Sequence, residues 1–150
     1  MKTILEGRAH LSANFEKGTI CPCCSQFVKV YKYKLYANSI KALIELSHLG
    51  PGFHHISKYA EATKHRPRAA HFADLRHWGF IRKSMEPVDG KKSSGFWEIT
   101  LEGHKFIYGK TTAKERVRIF NNNLFGFEGE EISVLQALGN KFNYDELMKH

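Results

Sequence analysis

The chain has 150 residues, 42% apolar and 25% charged, the balance of one globular domain with its own core, which excludes a globally disordered chain. No apolar run reaches the roughly 18 residues of a membrane-spanning helix. Charge arrives too early in Met1–Arg8 for a secretory signal core, so a cytosolic protein with no membrane partner is expected.

Lys and Arg number 23 against 15 Asp and Glu, a net charge of +8, with nine His in addition. Residues 1–83 carry 14 basic and 5 acidic side chains, while residues 84–150 carry 9 and 10. The whole excess lies in the first part of the chain. Such asymmetry predicts a polyanionic partner, nucleic acid first; the bland alternative is a solvated basic face that aids solubility.

The chain reads as three segments: an N-terminal arm over 1–37, a central domain over 38–110 and a C-terminal hairpin–helix extension over 111–150. The arm holds all three cysteines in Cys21-Pro22-Cys23-Cys24. An odd, clustered set is no disulfide framework. Cys21 and Cys24 have the Cys-x-x-Cys spacing that lets one turn present two thiolates, so they are candidate ligands of a structural zinc. The motif resembles half of a zinc knuckle with Ser25 in place of the usual Gly. Closure would need Cys23 or a histidine, with His10, His48, His54 and His55 eligible by residue type alone. A plain thiol cluster is the competing reading, and redox chemistry lacks a thioredoxin-like context.

Phe27–Tyr36 fits a strand by composition and a helix by spacing. Asn38-Ser39 predicts an N-cap, with Ile40, Leu43 and Ile44 on the inner face of a helix that Gly50-Pro51-Gly52 stops. A second helix is expected over 55–63. A third starts at Pro67, buries Phe72, Leu75 and Trp78, and ends at Gly79. Phe80–Ser84 and Phe96–Thr100 read as strands around a loop containing Asp89-Gly90 and Lys91-Lys92. Thr100 caps a short helix that closes at Gly109. Beyond it, 116–120 and 124–127 predict a hairpin across Asn121-Asn122-Asn123. A helix is expected over 130–138 with acidic residues in its first turn, and a final turn over 145–149.

Leu75-Arg76-His77-Trp78-Gly79-Phe80-Ile81 and Trp97-Glu98-Ile99-Thr100-Leu101-Glu102-Gly103-His104-Lys105-Phe106, in this order, resemble MarR- and PadR-like regulators. In that family a recognition helix ends at a Gly before two apolar residues, and the second wing strand runs into a Thr-capped helix. The resemblance implies an α+β, mostly helical fold: a winged helix-turn-helix core with a two-stranded wing, an N-terminal arm and a C-terminal hairpin–helix extension. It also implies double-stranded DNA binding by a small transcriptional regulator, with a homodimer interface expected in the terminal extensions.

A helical wheel turns Ala69, Ala70, Ala73, Arg76 and His77 away from the apolar face. Small alanines permit close approach to a groove, and Arg66 and Arg68 stand at the helix entrance, where a guanidinium can fork to guanine or grip phosphate. The candidate base-facing set is Arg66, Arg68, Ala70, Ala73 and His77, with Lys64, Lys91 and Lys92 on phosphates. Arg82, Lys83, Ser93 and Ser94 add to the wing. His71 sits at the edge of the inner face and is eligible for either task. His65, His71 and His77 are spaced so that they share no helical face, which argues against one metal site. Their protonation near pH 6.5 predicts stronger DNA binding in acid.

No phosphate-cradling Gly loop, His-Glu-x-x-His or Gly-x-Ser-x-Gly occurs, so a binding protein is expected rather than an enzyme. The rival function is a protein-interaction module or inhibitor that uses Phe120, Leu124, Phe125 and Phe127 as its contact surface. RNA is a weaker option because no aromatic stacking motif stands out in the sequence.

Overall fold

The computed structural model describes residues 3–55, 69–84, 96–121 and 123–149. The chain divides into two compact units, Met1–Lys34 with Arg116–Glu128, and Leu35–Glu115 with Gly129–His150.

In the first unit, helix α1 (Ile4–Asn14) starts at Thr3, whose hydroxyl accepts the Glu6 N–H. Ile4 and Leu5 are largely exposed, and Gly7 is the buried residue of this helix. A short hairpin follows, β1 (Thr19–Ile20) paired antiparallel with β2 (Phe27–Val28). Strand β3 (Val30–Lys34) then pairs antiparallel with β7 (Ala113–Phe120), from Val30 opposite Phe120 to Lys34 opposite Arg116. Strand β8 (Asn123–Ile132) lies on the other side of β7. Val30, Val117 and Ile119 are buried here. Phe15 stands edge-on to both Phe120 and Phe125, with centroids 5.5 and 5.6 Å away.

The second unit is organised on α2 (Ala37–His48). Ile40, Leu43, Ile44 and Leu46 are essentially inaccessible to solvent, which stabilises the unit by about 1.5–3 kcal/mol for each side chain. The expected Asn38-Ser39 cap is displaced. The N-cap is Tyr36, which makes no side-chain capping bond, and Ser39 is buried inside the helix. Against α2 pack α3 (Ala69–Ala73), strand β6 (Phe96–Ile99), α4 (Leu101–Ile107), α5 (Val134–Leu138) and α6 (Tyr144–Met148). Helix α3 continues as a 3-10 turn over Asp74–Trp78 and ends at Gly79, whose φ of 78° suits a residue without a Cβ. Strand β5 (Ile81–Lys83) pairs with β6, and β4 (His54–His55) pairs with the other edge of β6.

The expected mostly helical winged helix-turn-helix is overturned. About 40% of the described residues are helix and 30% strand, with the described strands in three sheets. The strands read as a two-stranded wing belong to a three-stranded sheet, because His54–His55 is extended and joins β6 rather than opening a helix at His55. The rest of the expected second helix, 56–63, and the turn and helix start at 64–68 lie outside the described residues. Neither terminal segment is a separate addition. Part of the arm (β3) and the C-terminal hairpin share a sheet, and Val134, Ala137 and Leu138 join the α2 core. Glu130 and Glu131, expected in a first helical turn, lie in β8. The helix begins later, with Ser133 and Gln136 forming a reciprocal capping box.

Helix α4 meets β5 at one close approach. Thr100 accepts the Gly103 N–H at 3.1 Å and donates to the Gly79 carbonyl, fixing the helix start against the end of the 3-10 turn. A Cβ on Gly103 would collide with the Phe80 carbonyl oxygen and lie 2.8 Å from Ile99 Cγ1. Backbone cannot rotate aside as a flexible side chain can. Gly103→Ala is expected to destabilise the fold by about 1–3 kcal/mol, seen as a lower urea midpoint at unchanged m value.

Candidate functional site

Of the residues expected to contact DNA, Lys64, Arg66, Arg68, Lys91 and Lys92 lie outside the described residues, as do Ser93 and Ser94. Ala70 lies in α3, and Ala73 is that helix's last residue, half-buried. His77 falls in the 3-10 turn and is also half-buried. The switch to three residues per turn alters the wheel. Leu75 and Trp78 stack on one side, Leu75 fully buried and Trp78 donating to the Lys114 carbonyl at 2.8 Å. Arg76 is exposed, while burial, and then the adjacent Arg76 charge, hold His77 below the ordinary imidazole range. The neutral form is therefore favoured, and His77 protonates in more acid conditions than an ordinary imidazole.

His71 sits between Tyr36 and Asp74. Its ring lies 4.6 Å from that of Tyr36, and Nδ1 is 3.8 Å from the Asp74 carboxylate. Burial raises the Asp74 pKa, and the nearby His71 opposes that shift. Arg82 pairs with Glu98 and lies over the Phe53 ring at 5.5 Å. Lys83 is exposed opposite Trp97, and the Ser84 N–H to Phe96 carbonyl bond (3.1 Å) closes the strand pair. Residues 85–95, with Lys91 and Lys92, thus connect two paired strands.

The cysteines occupy the β1–β2 connection. Cys21 donates its N–H to the Gln26 carbonyl at 2.8 Å, Ser25 donates back to the Cys21 carbonyl at 2.9 Å, and Ser25 takes a left-handed φ of 64°. Cys21 is buried; Cys23 and Cys24 are exposed. The backbone N–H groups of Cys24 and Cys23, with their thiols, lower the Cys21 pKa. The Cys23 thiol also faces the Thr3 carbonyl at 3.7 Å, and a Cβ on Gly7 would fall 2.5 Å from its sulfur. Among the described residues no three His, Cys, Asp or Glu side chains converge on a point that could hold a metal. His10, eligible as a further ligand, hydrogen-bonds Thr19 at 2.8 Å. Cys21 and Cys24 therefore share one tight turn, with no third ligand-type side chain converging on them among the described residues.

A feature that sequence reasoning missed lies in the first unit. A cleft of about 340 Å³ is lined by Phe27, Tyr31, Tyr33 and Phe120 together with Lys29, Gln26 and Asn121, among others. Phe27 and Tyr31 are 56% and 47% exposed, and Lys29 Nζ lies 5.6 Å from the Tyr31 centroid. Alternation at Tyr31 and Tyr33 was the available signal, because residues two apart on a strand share a face. Gly18 matters here too: a Cβ would lie 2.8 Å from the Phe27 ring, so its absence lets that ring fold over the turn.

No family model matches the chain, and no curated protein or solved structure is similar to it. The winged-helix assignment thus gains no identification from known folds. Among the described residues no helix is long and apolar enough to cross a membrane.

The sign of the His77 shift gives a measurable consequence. A group that binds its proton more weakly in the folded state leaves stability intact above its unfolded pKa. That stability then declines as pH falls through the unfolded value toward the folded one. His77→Gln is expected to flatten the pH dependence of the denaturant midpoint between about pH 7 and pH 5.

Proposed function

We propose that this chain binds double-stranded DNA as a small, cytosolic transcriptional regulator, acting by binding rather than by catalysis. The observation that carries this reading is the lopsided charge: residues 1–83 hold 14 basic side chains against 5 acidic ones. Polyanion affinity comes chiefly from such cations through release of condensed counterions. Geometry adds support. Phe72 and Leu75 are buried, and exposed Arg76 lies on another side of the same segment. Exposed Lys83 leads into the connection carrying Lys91 and Lys92. In this reading Arg66, Arg68, Ala70 and Ala73 approach base edges, while Lys64, Lys91 and Lys92 meet phosphates. His77 contributes as a neutral donor or acceptor.

One observation favours the rival, a module that binds protein. Leu124, Phe125 and Phe127 on β8 are 49%, 47% and 45% exposed, and β8 is an edge strand of its sheet. Contiguous exposed apolar side chains on a strand edge are the usual footprint of protein contact.

Anisotropy titration against a random-sequence duplex at two salt concentrations separates the two. The DNA reading expects affinity to fall steeply with salt, and Arg66→Glu with Arg68→Glu to weaken binding by more than about tenfold, with Phe125→Ala unchanged. No binding at low salt would reject it.

A further inference from the structure

The cleft on the first unit has a chemistry distinct from a duplex-reading surface. Duplex DNA offers phosphates and base edges, whereas flat, solvent-exposed aromatic rings take the faces of bases, which are available only when a strand is unpaired. Phe27 and Tyr31 are such rings. Tyr31 and Tyr33 stand on one face of β3, at the positions opposite Ile119 and Val117. Both partners are buried, so the strand beneath the rings is anchored from its neighbour.

Charge selects among occupants. Among the described residues Lys29 is the only charged one lining the cleft, and it stands beside the Tyr31 ring, where a phosphate joining stacked bases would pass. The unit's sequence contains eight Lys and Arg against three Glu. Two of those carboxylates are already engaged, Glu16 by Arg118 and Glu128 by Lys32 and Arg116. The unit is net positive by sequence and Lys29 brings that sign to the cleft, which disfavours a basic or neutral apolar peptide and favours an anionic polymer. The Gln26 and Asn121 amides each offer both donor and acceptor atoms, so they can pair with any base edge that tilts into the cleft. The volume is at the lower end of that of small-ligand clefts, enough for a base or two rather than a folded partner.

We propose that this cleft binds single-stranded nucleic acid, with bases stacked on Phe27 and Tyr31 and the backbone held by Lys29. The site lies in a different unit from the duplex-binding surface proposed above and does not depend on it.

The test uses the full chain and two fluorescein-labelled probes of about 12 nucleotides, oligo-deoxythymidylate and oligouridylate, a length within the range of small single-strand binding modules. Binding to at least one is expected, and the preferred probe distinguishes a DNA from an RNA source. Tyr31→Ala and Phe27→Ala should each weaken it by about tenfold, while Tyr31→Phe, which keeps the ring, should bind as the parent does. Lys29→Ala should make the salt dependence shallower by about one counterion. Tyr31 is half-exposed, so its substitution keeps the experiment informative if Phe27→Ala fails to fold. Random-sequence duplex binding should be unchanged in the Tyr31 and Phe27 variants, which remove no charge. Failure of the duplex titration alone rejects the duplex reading and not this one. Absence of binding to both single strands at low salt, or binding indifferent to loss of the Tyr31 ring, overturns the proposal and leaves the cleft to a peptide.

Discussion

Burial of one face of α2 is the interaction on which the second unit depends. Ile40, Leu43, Ile44 and Leu46 are removed from water together, and helices from three stretches of chain supply the surface that covers them. Phe72 and Leu75 come from α3 and its 3-10 extension, Phe106 and Ile107 from α4, and Val134, Ala137 and Leu138 from α5. A loss at α2 would therefore be felt by every element that bears on the candidate DNA surface. Tightly packed interiors have few alternative arrangements, so the position of α3 is a consequence of this core rather than of its own short helix.

The second constraint is steric. At Gly103 the first turn of α4 rests on the Phe80 backbone, and Thr100 ties that turn to Gly79. The Gly79 reversal and strands β5 and β6 therefore share one small junction. Charge then acts on a prepared frame. Arg82 is partly neutralised by Glu98, so residue type alone overstates the cations that a polyanion would meet. An exposed pair of this kind is easily exchanged for a phosphate, because in water it is worth at most about 1 kcal/mol.

The first unit has a different logic. It has few buried apolar residues, Val30, Val117, Ile119 and Cys21 among them, and leaves Phe27, Tyr31, Leu124, Phe125 and Phe127 largely outside. Some of this exposure is structural. Phe125 is held by Phe15 and by the Arg118 guanidinium 4.9 Å from its ring. In the cleft, Phe27 and Tyr31 are about half-exposed, with Lys29 beside the Tyr31 ring. An aromatic surface left open in this way is costly in water unless a ligand uses it.

Local chemistry in the sequence determined the elements that local forces form. The apolar period of α2, the Thr100 cap, the left-handed Gly79 and the turn between β7 and β8 were all legible, because each involves residues within a few positions of one another. The helix expected over 130–138 starts late, because the sheet takes Glu130 and Glu131 into β8 and the cap falls at Ser133. Of the candidate site, the sequence supplied the charge asymmetry and the Cys-x-x-Cys turn. Tertiary structure alone decided that β3 pairs with β7 across more than eighty residues, that His54–His55 is a strand, that residues 74–78 wind as a 3-10 turn, and that Tyr31 and Phe27 share a cleft. Sheet partners and ring neighbours are chosen by burial and hydrogen-bond satisfaction between distant segments, and neither quantity is written in the period of a single stretch of chain.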